Sequence, residues 1–382
     1  MRLDNRQTRV HKRVLVVVVG DYRVTGVITY LEERIPKLID RCDCEVTLFV
    51  PGRIVAASRA KLLQDSGCKI IEGHVELDNQ INRRIGLKRE LSHLLKANDF
   101  DVLHVNTASR LVNLIALSEA KRAGIPVRIA HSHSVNTSLG FLSRLIEPYY
   151  RLRIGHLATV LLACSDDAGI FLCGKRSWSE RGKVVPNGID VESYAYSREV
   201  GLSVRAASST NQNAHVYGYV GRLSASKNPL FLVRVFHEIA ARDESAIFWV
   251  VGDGPLRSEA ESLVSSLGDG GRFVFWGMRD DVPRILQGMD AFVFPSQFEG
   301  FGLVFLEAEA AGLPCFVSDG VSKNAYVEGC PVLTMSLEDP PEVWANRILD
   351  VPLTRNTDGA SLVANAGYDI SSSLRMLEKY YR

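Results

Sequence analysis

The chain has 382 residues, a length that suits two domains better than one. Lysine and arginine number 45 against 44 aspartates and glutamates, so no strong field is present to attract nucleic acid. The apolar run at residues 14–19 is too short to span a membrane and no cleavable signal pattern follows it, so we expect a cytoplasmic protein. The seven cysteines lack metal-site spacing and are expected to be reduced thiols.

Short apolar runs rich in β-branched residues alternate with amphipathic stretches in the first half of the chain. The amphipathic stretches repeat apolar residues at helical spacing. Strands that are buried on both faces and joined by helices indicate a parallel, doubly wound α/β sheet. We predict strands at residues 13–20, 44–50, 68–73, 101–106, 126–133 and 159–165.

The second half of the chain repeats this pattern after a polar interruption. The stretch at residues 199–215 is rich in Ser and Asn, and we predict a loop or linker there. Two Rossmann-like domains in series follow from the repeat, and ligands of such sheets bind beyond the carboxyl ends of the strands. The strands predicted for the second domain are residues 215–223, 246–255, 272–278, 291–296 and 314–319.

Two loops that follow predicted strands could bind phosphate. In VGRLSASKNP, Gly221 allows close approach of the backbone, while Arg222 and Lys227 offer cations that suit a pyrophosphate. Taken alone, such a loop is more often a solvated basic surface. In GDGP, Gly252 and Gly254 permit a tight turn, although most sequences of this kind are ordinary turns.

The segment FEGFG at residues 298–302 connects a predicted strand to a predicted helix. The free N–H groups at a helix start form an anion site. Glu299 precedes the helix and Glu307 lies about a turn inside it, so the two carboxylates could accept hydrogen bonds from different sugar rings of one ligand. The alternative is helix capping together with a surface acid.

Five motifs in fixed order resemble one enzyme family. Together they are similar to the GT-B retaining glycosyltransferases of family 4, and most of all to its capsule and exopolysaccharide members. The resemblance covers almost the whole chain and implies an acceptor-side domain at residues 1–185 with a returning helix at 370–382, and a donor-binding domain at 186–369. The motifs are VVPNGID (184–190), VGRLSASKN (220–228), VGDGP (251–255), WGMRDDVP (276–283) and FEGFGLVFLEAEAAGLP (298–314).

The resemblance implies a role for each matching residue. Glu299 would hold hydroxyls of the donor sugar and Glu307 the ribose of the nucleotide. Arg222 and Lys227 would stabilise the leaving diphosphate, and the loop from Met278 would contact the base, mainly through its backbone. The donor-binding residues implied in addition are Gly26, Gly221, Gly252, Gly254, Met278, Arg279, Phe301, Gly302 and Leu303.

The first half of the chain departs from the family pattern at one loop. Family members often have two adjacent glycines where this chain has Thr25 and Gly26, which weakens a phosphate contact there. The family also places a histidine near the donor sugar and the acceptor, and AHSHS offers His131 and His133 as candidates, with a slight preference for His133. The alternative for either is a histidine bonded to neighbouring backbone.

The implied reaction moves a sugar from a nucleoside diphosphate, with UDP expected, to a glycan or lipid-linked acceptor used for a surface polysaccharide. The resemblance implies retention of anomeric configuration, with the leaving phosphate as base. Fixed cations and helix-start amides can stabilise that phosphate, so we expect no cofactor and no metal. The acid pairs at 166–167 and 280–281 lack the arrangement that a divalent ion needs.

Other interpretations remain open at this level. The stretch at residues 141–162 mixes aromatic, aliphatic and arginine residues and could rest on the inner face of a membrane, although a core helix with basic outer positions is favoured. A GT-B nucleotide-sugar epimerase would bind the same donor. A catalytically silent partner of a polysaccharide assembly complex would also do so.

Overall fold

The computed structural model describes residues 11–23, 25–75, 80–133, 141–299 and 302–382. The chain divides into two compact units. Unit 1 contains the residues up to Asn187 together with Ile370–Arg382, and unit 2 is Gly188–Asp369. None of the helices in the described part of the chain is long and apolar enough to cross a membrane.

Unit 1 is built on a seven-stranded parallel sheet. The strands lie in the order 3-2-1-4-5-6-7, and the six strands predicted for this half are all present. Along the first strand, Leu15 and Val17 face one hydrophobic core while Val14 and Val16 face another. The strands are β1 (Arg13–Val17), β2 (Glu45–Val50), β3 (Lys69–Glu72), β4 (Val102–Asn106), β5 (Val127–Ser132), β6 (Val160–Ala163) and β7 (Gly182–Val184).

Helices cover both faces of this sheet, as expected for parallel strands joined by crossovers. The helices before the unit boundary are α1 (Gly26–Cys42), α2 (Ala57–Asp65), α3 (Gln80–Ala97), α4 (Arg110–Arg122), α5 (Phe141–Leu157), α6 (Asp166–Cys173) and α7 (Lys175–Arg181). Apolar residues of α3, α4 and α5 share one core with Leu15 and Val17, so these three helices lie on the same face.

Unit 2 repeats the architecture with a six-stranded parallel sheet. The strand order is 10-9-8-11-12-13, which confirms the second Rossmann-like fold. Its strands are β8 (His215–Val220), β9 (Ala246–Val251), β10 (Phe273–Gly277), β11 (Ala291–Phe294), β12 (Cys315–Ser318) and β13 (Val332–Met335). Its helices are α8 (Val191–Tyr194), α9 (Arg198–Ala207), α10 (Pro229–Ala240), α11 (Arg257–Leu267), α12 (Val282–Gln287), α13 (Leu303–Ala310), α14 (Pro341–Leu349) and α15 (Gly359–Val363).

The loop predicted at residues 199–215 is wrong over its first half, where α9 forms. Ser197 caps the helix by accepting a hydrogen bond from the Val200 amide at 3.4 Å. Val204 packs into the core, and the guanidinium of Arg205 donates to the Asp290 carboxylate at 2.6 Å and to the Gly288 carbonyl. The polar composition of this segment gave no indication of α9, which Arg205 connects to the rest of unit 2.

The last helix, α16 (Ile370–Tyr381), belongs to unit 1. Ile370, Leu374, Leu377 and Tyr381 recur at helical spacing and enter the same core as the inner face of α1. The buried guanidinium of Arg34 on α1 donates to the Ser373 hydroxyl at 3.1 Å. The C-terminal segment is therefore part of the unit 1 core.

Candidate active site

The carboxyl ends of three adjacent strands in unit 2 carry the predicted donor residues. Strands β9, β8 and β11 are neighbours, and Gly252, Gly221 and Glu299 follow them in that order. A side chain at Gly252 would overlap the Gly221 carbonyl oxygen, and one at Gly254 would overlap Leu223. These glycines let the two loops pack backbone against backbone, which explains why this residue type is needed there.

Lys227 is held by a turn that is tied to the loop after β11. The turn is a short 3₁₀ helix, Ala225–Lys227. The Ser226 carbonyl accepts hydrogen bonds from the Gln297 amide at 2.8 Å and from the Ser296 hydroxyl at 3.1 Å. Because Ser296 is fully buried, the lysine turn and the glutamate loop are fixed relative to each other.

The ammonium group of Lys227 forms an ion pair with the Glu299 carboxylate. Each side chain is 20% exposed. Burial lowers the pKa of Lys227 to about 8, which is still above neutral pH. The lysine is therefore protonated at neutral pH, and a desolvated cation lies at the strand ends.

Glu299 is also fixed through its backbone. Its amide donates to the Gly320 carbonyl at 3.0 Å, and its own carbonyl accepts from the Ser322 amide at 3.2 Å. Gly302 precedes α13 with a φ of 68°, and a Cβ there would lie 2.9 Å from the Glu299 side chain. A glycine at this position lets the helix start close to the carboxylate.

The remaining donor-side residues lie around this pair with different exposure. Arg222 is exposed on the loop after β8, and Glu307 is half-buried in the second turn of α13, which begins at Leu303. Phe301 lies outside the described residues. The structure thus brings Lys227 and Glu299 into contact and places Arg222 and Glu307 on neighbouring elements.

The predicted base loop is organised by an internal ion pair. The Arg279 guanidinium donates two hydrogen bonds of 2.8 Å to the Asp281 carboxylate and lies 5.4 Å from the centre of the Trp276 ring. The pair holds the pKa of Asp281 below its usual range. Met278, in this loop, is 59% exposed. Within the described residues, no cluster of three His, Cys, Asp or Glu could hold a metal.

In unit 1, the structure explains why Thr25 stands in the loop before α1, where family members often have a second glycine. Thr25 is the N-cap of α1, and its hydroxyl accepts from the Ile28 amide at 3.3 Å. Gly26, the first residue of the helix, is exposed, and a Cβ there would meet no atom within 4 Å. Packing within unit 1 therefore does not require a glycine at position 26, and the threonine supplies a cap.

The two candidate histidines lie in a buried cluster at the ends of β4 and β5. His131 is fully buried and its Nδ1 lies 3.1 Å from Nε2 of His104. His133 is half-buried, with its ring nitrogens 3.1 Å from the Asn187 side chain and 2.9 Å from that of Asn106. These partners are side chains, whereas the alternative interpretation expected backbone bonds.

Burial keeps these imidazoles neutral. It lowers the pKa of His104 to about 3, that of His133 to about 4, and that of His131 well below its usual range. A neutral ring donates only one hydrogen bond, so either Asn106 or Asn187 turns its NH₂ group toward His133. Sequence reasoning missed His104, whose signal was a histidine inside the apolar strand DVLHVN.

Comparison with known proteins identifies the class. Residues 24–193 match the family model described as Glycosyltransferase Family 4, and residues 214–351 match that described as Glycosyl transferases group 1. A Bacillus subtilis (strain 168) protein named as the glycosyltransferase EpsF is 31% identical over 300 residues, which cover 77% of this chain and 78% of that protein. The chain belongs to this family of glycosyltransferases and is an enzyme of that class.

Further relatives agree with this assignment. The Escherichia coli UDP-Gal:alpha-D-GlcNAc-diphosphoundecaprenol alpha-1,3-galactosyltransferase is 29% identical over 245 residues, 62% of each chain. The structure of Anabaena HepE with UDP-glucose superposes with a TM-score of 0.69 at 18% identity, covering 97% of this chain and 99% of HepE. WaaG, a glycosyltransferase involved in lipopolysaccharide biosynthesis, gives 0.66 at 18% identity, covering 96% and 97%. At such identities the structural likeness shows the GT-B fold.

Proposed function

We propose that this enzyme transfers a hexose from a UDP-sugar to a lipid-linked saccharide, with retention of anomeric configuration and without a metal. The observation that carries the proposal is the pairing of Lys227 with Glu299 at the ends of the unit 2 strands. A cation and an acceptor-only carboxylate in contact are the two groups needed to bind a diphosphate and the hydroxyls of the sugar attached to it.

Donor binding would divide this ion pair. The diphosphate oxygens replace Glu299 as the partner of the Lys227 ammonium, and the released carboxylate accepts hydrogen bonds from the donor-sugar hydroxyls. Neither charge is then left buried without a partner, which would be costly. Arg222, exposed on the preceding loop, supplies the second cation.

The same groups supply the stabilisation that the reaction needs. Breaking the anomeric bond leaves additional negative charge on the diphosphate, and a fixed, partly desolvated cation lowers that barrier. The amides of Leu303 and Val304 come before the first bond of α13, which the Phe305 amide donates to the Gly302 carbonyl at 2.9 Å, and they are available to a phosphate oxygen. With these groups in place a metal is not needed, and the leaving phosphate can accept the proton of the attacking hydroxyl on the same face.

The relatives support the choice of donor and acceptor. The printed name of the Escherichia coli enzyme specifies UDP-galactose as donor and a diphosphoundecaprenol-linked sugar as acceptor. The HepE structure, which shares the fold, holds UDP-glucose. A lipid-linked acceptor would place the enzyme in the synthesis of a surface polysaccharide.

A membrane-facing surface would suit such an acceptor. Helices α3 and α5 carry five and three lysines and arginines, with one glutamate each, and α4 ends in the exposed Lys121 and Arg122, in a chain whose net charge is only +1. Four large apolar side chains on α3 and α5 are also exposed: Ile85, Ile146, Tyr149 and Leu152. Basic and exposed apolar groups together favour an anionic lipid surface.

This contact is testable with vesicles of phosphatidylglycerol and phosphatidylcholine. Leu152→Glu should weaken binding to anionic vesicles roughly tenfold, because it removes one apolar side chain and adds a like charge. Leu62→Glu, at a leucine on α2 that is at least as exposed as Leu152, is the matched control and should bind as wild type does. Equal binding by all three proteins would contradict the proposed surface.

The transfer reaction is tested by incubating the enzyme with UDP-sugars, with and without a diphosphoundecaprenol-linked saccharide and with and without EDTA. The expected product is an extended saccharide with the anomeric configuration of the donor, formed equally in EDTA. Release of a new sugar nucleotide without acceptor would instead identify an epimerase. Binding of UDP without any turnover would identify a silent partner.

A further inference from the structure

A hydrogen-bonded chain connects the last helix to a candidate site histidine through the core of unit 1. The Tyr381 hydroxyl on α16 lies 2.8 Å from Nδ1 of His104, and Nε2 of His104 lies 3.1 Å from Nδ1 of His131. All three side chains are buried, with exposures of 1%, 1% and 0%. Solvent therefore does not compete for these bonds.

This hydrogen-bonded chain ends at a polar atom for which the described residues offer no partner. Nε2 of His131 is buried and has no hydrogen-bond partner among the described residues. The Tyr30 hydroxyl, whose ring contacts both His131 and His133, is in the same condition. Buried polar atoms without partners are rare, and two in one cluster point to a molecule that binds there.

Tyr381, His104 and His131, the three members of this hydrogen-bonded chain, are all uncharged. Burial raises the pKa of Tyr381 well above its usual value, so its hydroxyl keeps its proton. Burial also lowers the pKa values of both imidazoles, and the nearby charge of Arg34 adds to this effect at His131. Two neutral imidazoles and a phenol hold three exchangeable protons, so the two bonds can point in only two consistent directions.

The donor and acceptor strengths of phenol and imidazole decide which of the two arrangements is more stable. A phenol is a better donor than a neutral imidazole, and an imidazole nitrogen is a far better acceptor than a phenol oxygen. The strong arrangement therefore has Tyr381 donating to His104, and His104 Nε2–H donating to His131 Nδ1. In this arrangement the unpartnered nitrogen of His131 carries a proton.

We propose that Tyr381 is a positioning residue that acts through His104 to fix the Nε2–H tautomer of His131, so that His131 presents a hydrogen-bond donor to an oxygen of the substrate. The role in substrate binding rests on the proposed transferase function, whereas the tautomer does not. The carboxyl end of β5, where His131 lies, is an edge at which ligands of parallel sheets bind.

Nitrogen-15 NMR of histidine-labelled enzyme tests the tautomer directly, without substrate. Both His104 and His131 should carry their proton on Nε2 in the wild type. Tyr381→Phe keeps the ring and removes the hydroxyl that donates to His104, so a second tautomer should appear at both residues. Tyr380→Phe is the matched control: Tyr380 is the neighbouring residue on α16, its hydroxyl accepts from Lys183 of β7, and its loss should leave both spectra unchanged.

Transfer assays test the consequence. Tyr381→Phe should lower kcat roughly three- to tenfold, the loss expected for one buried neutral hydrogen bond, with melting temperature close to that of Tyr380→Phe. In a His131→Gln background, Tyr381→Phe should lower kcat no further, because Tyr381 acts through His131.

Two results would overturn the proposal: a wild-type His131 protonated on Nδ1, or a Tyr381→Phe variant with unchanged histidine spectra. If NMR finds the expected tautomers but the enzyme shows no transfer activity, the proposed function would be wrong and this hydrogen-bonded chain would not.

Discussion

The loops of unit 2 and the histidine cluster of unit 1 treat charge in opposite ways. Lys227 and Glu299 are charged and in contact, at the edge of the sheet where each is still partly exposed. His104, His131 and His133 are held neutral by burial and exchange hydrogen bonds with other neutral groups. Charge is kept where a diphosphate and its sugar would bind, and neutral hydrogen-bonding groups are kept where His131 would donate to a substrate oxygen.

Glu299→Gln tests the charged side of this comparison most strongly. The amide keeps the shape but loses the charge that pairs with Lys227, and it cannot accept on both of its polar atoms. We expect kcat/KM to fall roughly a thousandfold, about 4 kcal/mol, in the range seen when one transition-state contact is removed. Glu259→Gln, at an exposed position on α11, should transfer at the wild-type rate. Transfer unaffected by Glu299→Gln would remove Glu299 from the site.

Glu309 contrasts with Glu299, because it is a buried carboxyl group of unit 2 that stays protonated instead of pairing with a cation. It is fully buried on α13, one oxygen accepts from the Val327 amide at 2.9 Å, and the other has no partner among the described residues. Burial raises the pKa of Glu309 to about 8. The folded protein thus holds a proton that the unfolded chain releases near pH 4.5.

The stability that Glu309 contributes is therefore complete below about pH 4.5 and is lost as pH rises through 8. Denaturant unfolding at pH 5 and pH 9 should show Glu309→Gln gaining about 4 kcal/mol relative to wild type at the higher pH. Glu328→Gln, at an exposed neighbouring position, should show no such gain. Identical pH dependence in all three proteins would mean that Glu309 is charged in the fold.

The histidines of unit 1 should give the reverse pH dependence. Burial lowers the pKa of His133 to about 4, so its contribution is present above the unfolded value of about 6.5 and is lost as pH falls through 4. Between pH 7 and pH 5 this one group should cost the wild type about 2 kcal/mol of unfolding free energy. His133→Gln should remove that part of the pH dependence, which urea unfolding midpoints at the two pH values would measure. His11→Gln, at an exposed histidine, should keep it.

Sequence reasoning recovered the two regions unequally, for a physical reason. Lys227 and Glu299 lie in loops directly after strands, so local patterns predicted both the sheet and the edge where these residues meet. His104 and Tyr381 are 277 positions apart and meet only because α16 packs onto α1. The slight preference for His133 over His131 stays a prediction. Both ring nitrogens of His133 are hydrogen-bonded, whereas Nε2 of His131 has no partner within the part of the chain that the structure describes.

One edge strand of each sheet, β7 and β13, and the polar helix α9 were also missed by local patterns. Strand β7 has three residues and β13 has four, mostly half-buried, so neither carries a clear alternation. Helix α9 depends on Arg205 reaching Asp290, a contact that the composition of the segment does not signal. Burial of a charged group decided the structure in that segment.

Thr25 gives the smallest expected effect and tests whether the loop before α1 is structural. Thr25→Ala removes the cap on the Ile28 amide and should cost about 1 kcal/mol, whereas Thr25→Gly should cost only a few tenths. Urea unfolding of both variants measures the difference. A larger loss for glycine than for alanine would contradict a capping role.

The central claim is that Lys227 and Glu299 form a nucleotide-diphosphate site, and calorimetry of UDP, GDP and ADP binding tests it most directly. We expect one nucleotide, UDP, to bind tightly and equally with or without magnesium. Lys227→Ala should weaken that binding at least roughly thirtyfold, the loss expected for a charged hydrogen-bonding partner of phosphate, while the exposed Arg234→Ala control binds as wild type does. No binding of any nucleotide, or full affinity in Lys227→Ala, would contradict the claim.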